Sequence, residues 1–124
     1  MLPAADALVV PSTFPESFGM VAVEGAACGA LPIVAAHSGL DEVARRLAPE
    51  VPAPTREWLA FALGPGAVRE LAGRLVSWLE APADLRAPTR AAIVRVARER
   101  YGWGGVARSV LAAAQGRLEE LPEP

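Results

Sequence analysis

Apolar residues run unbroken over Ala7–Val10, between Asp6 and Pro11, and again over residues 33–36 after Pro32. Short apolar runs closed by turn residues predict strands buried on both faces. Between them, residues 11–17 carry two prolines and several small hydroxyls, which is turn chemistry. Residues 19–28 are apolar on most sides, with Glu24 as their one charge. Gly29 follows, where a left-handed helix end favours glycine. Strand, helix and strand in this order predict a parallel βαβ unit.

Ser38 followed by Asp41 has the spacing of a capping-box variant and predicts a helix from about Leu40 to Leu47. Pro49, Pro52 and Pro54 mark an irregular connection. Residues 58–63 are apolar and predict a third strand, with a short helix as the alternative given their Ala and Leu content. The period then turns helical. Val68, Leu71, Ala72, Leu75, Val76 and Leu79 mark one face, and Ala81-Pro82 ends that helix. Asp84 caps a short turn, and Pro88 suits the first turn of a helix that runs to Arg100 with Ile93, Val96 and Ala97 inward. The arginines at 90, 95, 98 and 100 read as a solvated face rather than an anion patch. Tyr101 and Trp103 are expected to anchor helix packing, before a last helix striped by Val106, Val110, Leu111, Ala114 and Leu118. The expected class is α/β in one domain. A three-strand parallel sheet with flanking helices fills residues 1–64, a helical part fills 65–118, and 119–124 form a frayed tail.

Composition narrows the function. A chain of 124 residues with 52% hydrophobic and 21% charged positions can bury a core. A net charge of −2 gives no electrostatic case for nucleic acid or an anionic membrane. The single cysteine, Cys28, excludes an internal disulfide and reads as a core packer. With one His, one Cys and no carboxylate cluster, neither a metal nor a cofactor is expected. No apolar run is long enough to span a bilayer and no signal peptide opens the sequence, so the cytoplasm is the expected location.

The candidate chemistry lies in residues 16–24, PESFGMVAVE with its leading proline. Glu16 falls in the loop at the carboxyl end of the first strand, where open α/β sheets bind ligands. Phe18, Gly19 and Met20 open the helix, so their amides lack intrahelical partners and suit phosphate. Gly19 would let a ligand approach the backbone. Glu24 is a carboxylate on an almost wholly apolar helix, suited to gripping hydroxyls. Two carboxylates flanking free amides match a ligand with phosphate in the middle and hydroxyls at both ends, as in a sugar nucleotide. Taken singly, Glu16 could be a solvated loop residue and Glu24 part of an exposed face.

Glu16 and Glu24, with seven residues between them, resemble the E-x7-E motif of retaining glycosyltransferases with the GT-B fold, of the group 1 (family 4) type. The surroundings match in order: Ala5-Asp6, Pro11-Ser12, Glu16-Ser17-Phe18-Gly19, Glu24-Gly25-Ala26-Ala27-Cys28-Gly29 and Pro32-Ile33-Val34. The resemblance implies a partial Rossmann-like domain, the second half of the donor-binding C-terminal domain. It implies that Glu16, with Phe18 and Gly19, meets the donor sugar, that Met20 and Val21 face the pyrophosphate, and that Glu24 binds the ribose. The family usually shows two glycines and then Glu after the second strand. Gly39 and Glu42 fit, Ser38 replaces one glycine, and His37, Gly39 and Glu42 become candidates for the rim of the site, although His37 taken singly reads first as an exposed loop histidine. The family's catalytic-loop histidine belongs to the other domain, so His37 does not inherit its role.

The resemblance also implies absences. The acceptor domain and the basic pair that steadies the leaving diphosphate lie outside the matched segment, so negligible transferase activity is expected of this chain alone. The stretch 1–5 would be the end of a preceding helix. The first strand would be an exposed edge, which predicts a homodimer or pairing with a chain that carries the missing half. The alternative is a truncated or split chain that folds and associates without binding nucleotide. A nucleotide-sugar epimerase or other Rossmann enzyme lacks support, since no G-x-G-x-x-G follows the first strand.

Overall fold

The computed structural model describes residues 5–121. The expected helix end at 1–4 and the last residues of the expected tail, 122–124, lie outside the described residues. The chain runs β1 (Ala7–Val10), α1 (Met20–Ala27), β2 (Leu31–Ala35), α2 (Ser38–Leu47), α3 (Ala53–Arg56), β3 (Ala60–Phe61), α4 (Ala67–Leu79), α5 (Ala83–Tyr101) and α6 (Trp103–Ala114). This is the expected α/β class, a three-strand parallel sheet in the order β1-β2-β3 flanked by helices.

The central strand β2 is buried at all five positions, as a strand covered on both faces should be. Its register sets Ala7 opposite Leu31 and Val10 opposite Val34, with Val34 and Ala35 opposite Ala60 and Phe61. The strand starts at Leu31, two residues before the expected run, because the Leu31 amide already bonds to the Asp6 carbonyl. The helix α1 ends as its sequence predicts. Gly29 takes a φ of 83°, its amide bonds to Ala26, and the Ala30 amide bonds back to Gly25, which is a Schellman end. Gly25 lies against β1 so closely that an added Cβ would come within 2.5 Å of a Leu8 methyl.

The third strand is far shorter than expected. Only Ala60 and Phe61 pair with β2, while Trp58 is half-buried and residues 62 and 63 are exposed. Pro52 and Pro54 shape the turn α3 just before, which delays the extended segment. The two expected pieces around Pro88 are one helix, α5, with Pro88 inside it. The face of α4 also differs from its apolar stripe. Leu71, Leu75 and Trp78 pack on the core, while Val68, Val76 and Leu79 are exposed. Trp78 is fully buried, and its indole Nε1 donates to the Asp6 carbonyl at 2.8 Å. The guanidinium groups of Arg86 and Arg90 both pair with the Asp6 carboxylate and lie 5.3 and 6.0 Å from the Trp78 ring centre. Asp6 thus joins the start of β1 to α4 and α5.

The aromatic pair after α5 divides its roles. Tyr101 packs against the core, but Trp103 is 90% exposed, so it anchors no packing among the described residues. α6 docks through small residues instead: an added Cβ at Gly105 would come within 2.3 Å of the Glu99 carbonyl, and Ala112 is buried. The stripe of Val106, Val110 and Leu111 faces solvent. α6 stops at Ala114, Gly116 turns with φ 73°, and Leu118–Glu120 form a 3₁₀ turn in which Arg117 pairs with Glu120.

Candidate functional site

Parallel pairing of β1 with β2 brings the loops after both strands to one edge of the sheet. The first loop, residues 11–19, carries Glu16. The second, residues 36–39, carries His37, Ser38 and Gly39. The structure brings these two stretches into direct contact. The Glu16 amide donates to the Ser38 hydroxyl at 3.0 Å, and the Gly39 amide donates to the Glu16 carbonyl at 2.8 Å. A Cβ at Gly39 would sit 2.7 Å from three backbone atoms of residues 16–18, so only glycine fits there. Gly19 faces the same contact from the other side. It takes φ 60°, and its added Cβ would lie 2.9 Å from the Gly39 carbonyl oxygen. Both glycines are therefore required by the loop-to-loop approach itself. Gly19 is buried, and the room left by its missing side chain is filled by Gly39 and Val43.

Gly19 precedes the helix rather than belonging to it. The helical ladder starts with the Ala22 and Val23 amides, which both bond to the Gly19 carbonyl. The amides of Met20 and Val21 have no helical partner, and no other is found among the described residues. Glu16 is half-buried and Glu24 exposed, and neither carboxylate pairs with a cation among the described residues. Phe18 is 75% exposed, and Met20 and Val21 are about half exposed. The mouth of the site is thus open, with bare apolar side chains beside two free carboxylates. Cys28, expected in the core, is exposed, because α1 buries positions 22, 23, 25 and 26 and turns 28 away.

The rim candidates are tied into the loops and helix around them. His37 is half-buried, and both ring nitrogens are engaged: Nε2 lies 2.6 Å from the Ser12 carbonyl oxygen and Nδ1 lies 3.0 Å from the Ser38 hydroxyl. It is a bracing residue of the loops. Ser38 does not cap α2 through its side chain; its hydroxyl is taken by Glu16 and His37, and α2 begins directly at Ser38. Ser38 has φ 48°, the one non-glycine residue with positive φ among those described. That is the conformation a glycine would hold at no cost. Glu42 pairs with Arg46 at 2.5 Å. With Ser17, Phe18, Met20, Val43 and Tyr101 they line a cavity of about 150 Å³ beside the site loop. Burial pushes the Tyr101 hydroxyl above the ordinary phenol range, against the pull of the Arg46 guanidinium. The bracing role of His37 and Ser38 was not readable from residue types; a serine in a glycine position was the only signal.

Among the described residues no three His, Cys, Asp or Glu side chains come together as a metal site would need, and no helix is long and apolar enough to cross a membrane. Comparison with known proteins agrees with the geometry. Residues 1–100 match the family model described as glycosyl transferases group 1. A D-inositol 3-phosphate glycosyltransferase of Segniliparus rotundus is similar, at 36% identity over 121 residues. The match takes in 93% of this chain and 23% of that relative's length. No solved structure matches.

Proposed function

Because the chain belongs to the group 1 glycosyl transferases, we propose that the loop at residues 16–24 grips the nucleotide-sugar donor of a retaining glycosyl transfer. The Glu16 carboxylate takes the sugar hydroxyls, with the amides of Phe18 and Gly19 beside it. The amides of Met20 and Val21 take the pyrophosphate, and Glu24 takes the ribose. Gly39, Glu42 and His37 shape the rim. The observation that carries this reading is the pair of amides at Met20 and Val21, without partners among the described residues and set between two carboxylates that none of the described cations neutralises. Such a site supplies hydroxyl acceptors at each end and phosphate donors between them. No metal is needed for that grip.

Donor binding and catalysis are separate here. Stabilising a leaving diphosphate takes positive charge aimed at it. The guanidinium in the cavity beside the loop, Arg46, is already paired with Glu42. The chain alone is therefore a donor grip with negligible transfer activity, working in the cytoplasm. β1 pairs with β2 on one side only, and its other edge is free among the described residues, which supports pairing with a second copy or with a chain that adds strands there.

The test is a titration of the chain with UDP-, GDP- and ADP-sugars, followed by amide NMR, beside a Glu24→Ala variant. Saturable shifts at residues 18–21 that weaken in the variant are expected, and the nucleotide that gives them identifies the base. A folded sample with no shifts at millimolar donor refutes the reading.

A further inference from the structure

The loop that bears Glu16 is held by a chain of hydrogen bonds made from side chains, and the sequence pattern of the site does not contain it. The Ser12 carbonyl oxygen only accepts, so the His37 Nε2 at 2.6 Å carries the hydrogen. In the neutral ring Nδ1 is then an acceptor, and the Ser38 hydroxyl at 3.0 Å donates to it. That leaves the serine lone pairs for the Glu16 amide, which donates at 3.0 Å. Ser12 also donates its own hydroxyl to the Phe14 carbonyl at 3.0 Å, which tightens the far side of the loop. The four groups run from the loop after β1 to the residues that follow β2, and back to the residue that bears the candidate sugar-binding carboxylate.

The backbone gives the second observation. Ser38 holds φ 48°, which costs a side chain that glycine lacks. A serine kept in that conformation trades local ease for a hydroxyl, and the hydroxyl is spent wholly on His37 and Glu16. We infer that His37 and Ser38 are positioning residues: they fix the backbone of Glu16, and through it the direction of its carboxylate. This rests on the donor-site reading above for its consequence on binding. Its structural content, a Glu16 amide held by Ser38, stands apart from that reading.

A merely structural role and a positioning role separate in Ser38→Gly. Glycine relieves the backbone and removes the hydroxyl, so the thermal midpoint should hold or rise while the Glu16 amide loses its partner. The experiment compares the full 124-residue chain, Ser38→Gly and His37→Ala. It reads the thermal midpoint, hydrogen exchange at the Glu16 amide, and UDP-, GDP- and ADP-sugar affinity by amide NMR. The expected result is an unchanged or higher midpoint in Ser38→Gly, Glu16 exchange faster by about tenfold or more, and donor affinity lower by about tenfold. His37→Ala should shift exchange and affinity the same way by a smaller factor. Glu16 exchange as slow in Ser38→Gly as in the unaltered chain overturns the positioning role. So does a lower midpoint with faster exchange across the whole sheet. No saturable shift with any donor in the unaltered chain overturns the donor reading, while the exchange comparison still decides the positioning.

Discussion

The side chains of Thr55 and Thr89 meet inside the protein, hydroxyl to hydroxyl at 3.1 Å, and both residues are fully buried. Their roles are not equal. Thr89 donates its one hydroxyl hydrogen to the Leu85 carbonyl at 2.8 Å, so the hydrogen between the two threonines must come from Thr55. Thr89→Val therefore strands a buried donor and should cost about 1–3 kcal/mol. Thr55→Val leaves Thr89 bonded to Leu85 and should cost less, about 1 kcal/mol. The double variant removes both partners and should lie closer to Thr55→Val than to the sum. Urea unfolding of the three variants measures this order.

Two glycines should respond to alanine with opposite signs. Gly39→Ala drives a methyl to 2.7 Å from the backbone of residues 16–18, where nothing can step aside. Overpacking of that kind should cost about 1–3 kcal/mol and loosen the site loop. Gly73 lies inside α4 with open space around its Cα. Gly73→Ala should stabilise by about 0.5–1 kcal/mol, through a less flexible unfolded chain and better helix propensity. Thermal unfolding of both variants is the check.

The outline of this fold was legible because one physical signal dominates each part of it. The apolar run Ala7–Val10 between Asp6 and Pro11 suits a strand, and it is β1, though at the edge of the described sheet only Val10 is buried and the other three positions are half-buried. The spacing of Glu16 and Glu24 around Gly19 placed one on a loop and the other on a helix, as found. Contacts between distant residues were not legible. Nothing local marks Trp78 as the partner of Asp6, and a helical stripe cannot say that Val68 and Leu79 face out while Trp78 faces in. The 58–63 run shows the same limit from the other side: its apolar content suits a strand, but only Ala60 and Phe61 form strand pairs with β2, helped by the Leu59 carbonyl, which accepts from the Val34 amide. At the site, Ser38 could be seen to replace a glycine, yet its use of the hydroxyl depends on a loop 22 residues away.

Trp103 offers a direct check on the helix junction. A side chain 90% exposed contributes little to folding. Trp103→Ala should change stability by no more than about 0.5 kcal/mol, while Gly105→Ala, which presses on the Glu99 carbonyl, should detach α6 from α5. Thermal melts and the exchange rates of α6 amides would show the difference. A large loss of stability in Trp103→Ala would mean that this ring is covered in solution, as it would be if a second chain packed on the stripe of Val106, Val110 and Leu111.

The contact between Glu50 and Arg95 gives stability a dependence on pH. The guanidinium of Arg95 lies 2.6 Å from the Glu50 carboxylate and holds its carboxyl below the ordinary value of 4.5, first by the hydrogen bond and then by charge. A group whose pKa is lower folded than unfolded stabilises above its unfolded value and loses that contribution as pH falls through the folded one. The contribution is therefore fully present above the ordinary value of 4.5 and is lost in acid, as pH falls through the lower folded value. Glu50→Gln should be less stable than the unaltered chain at pH 7, and the difference should vanish as acid protonates the folded carboxyl. Because the pair is solvent-exposed, the difference at pH 7 should be small and should shrink further in 1 M salt, where charges are screened within about 3 Å. Urea midpoints of the two proteins across that pH range test the sign. A difference that persists in acid would assign the effect to packing of Glu50 against α5 rather than to its charge.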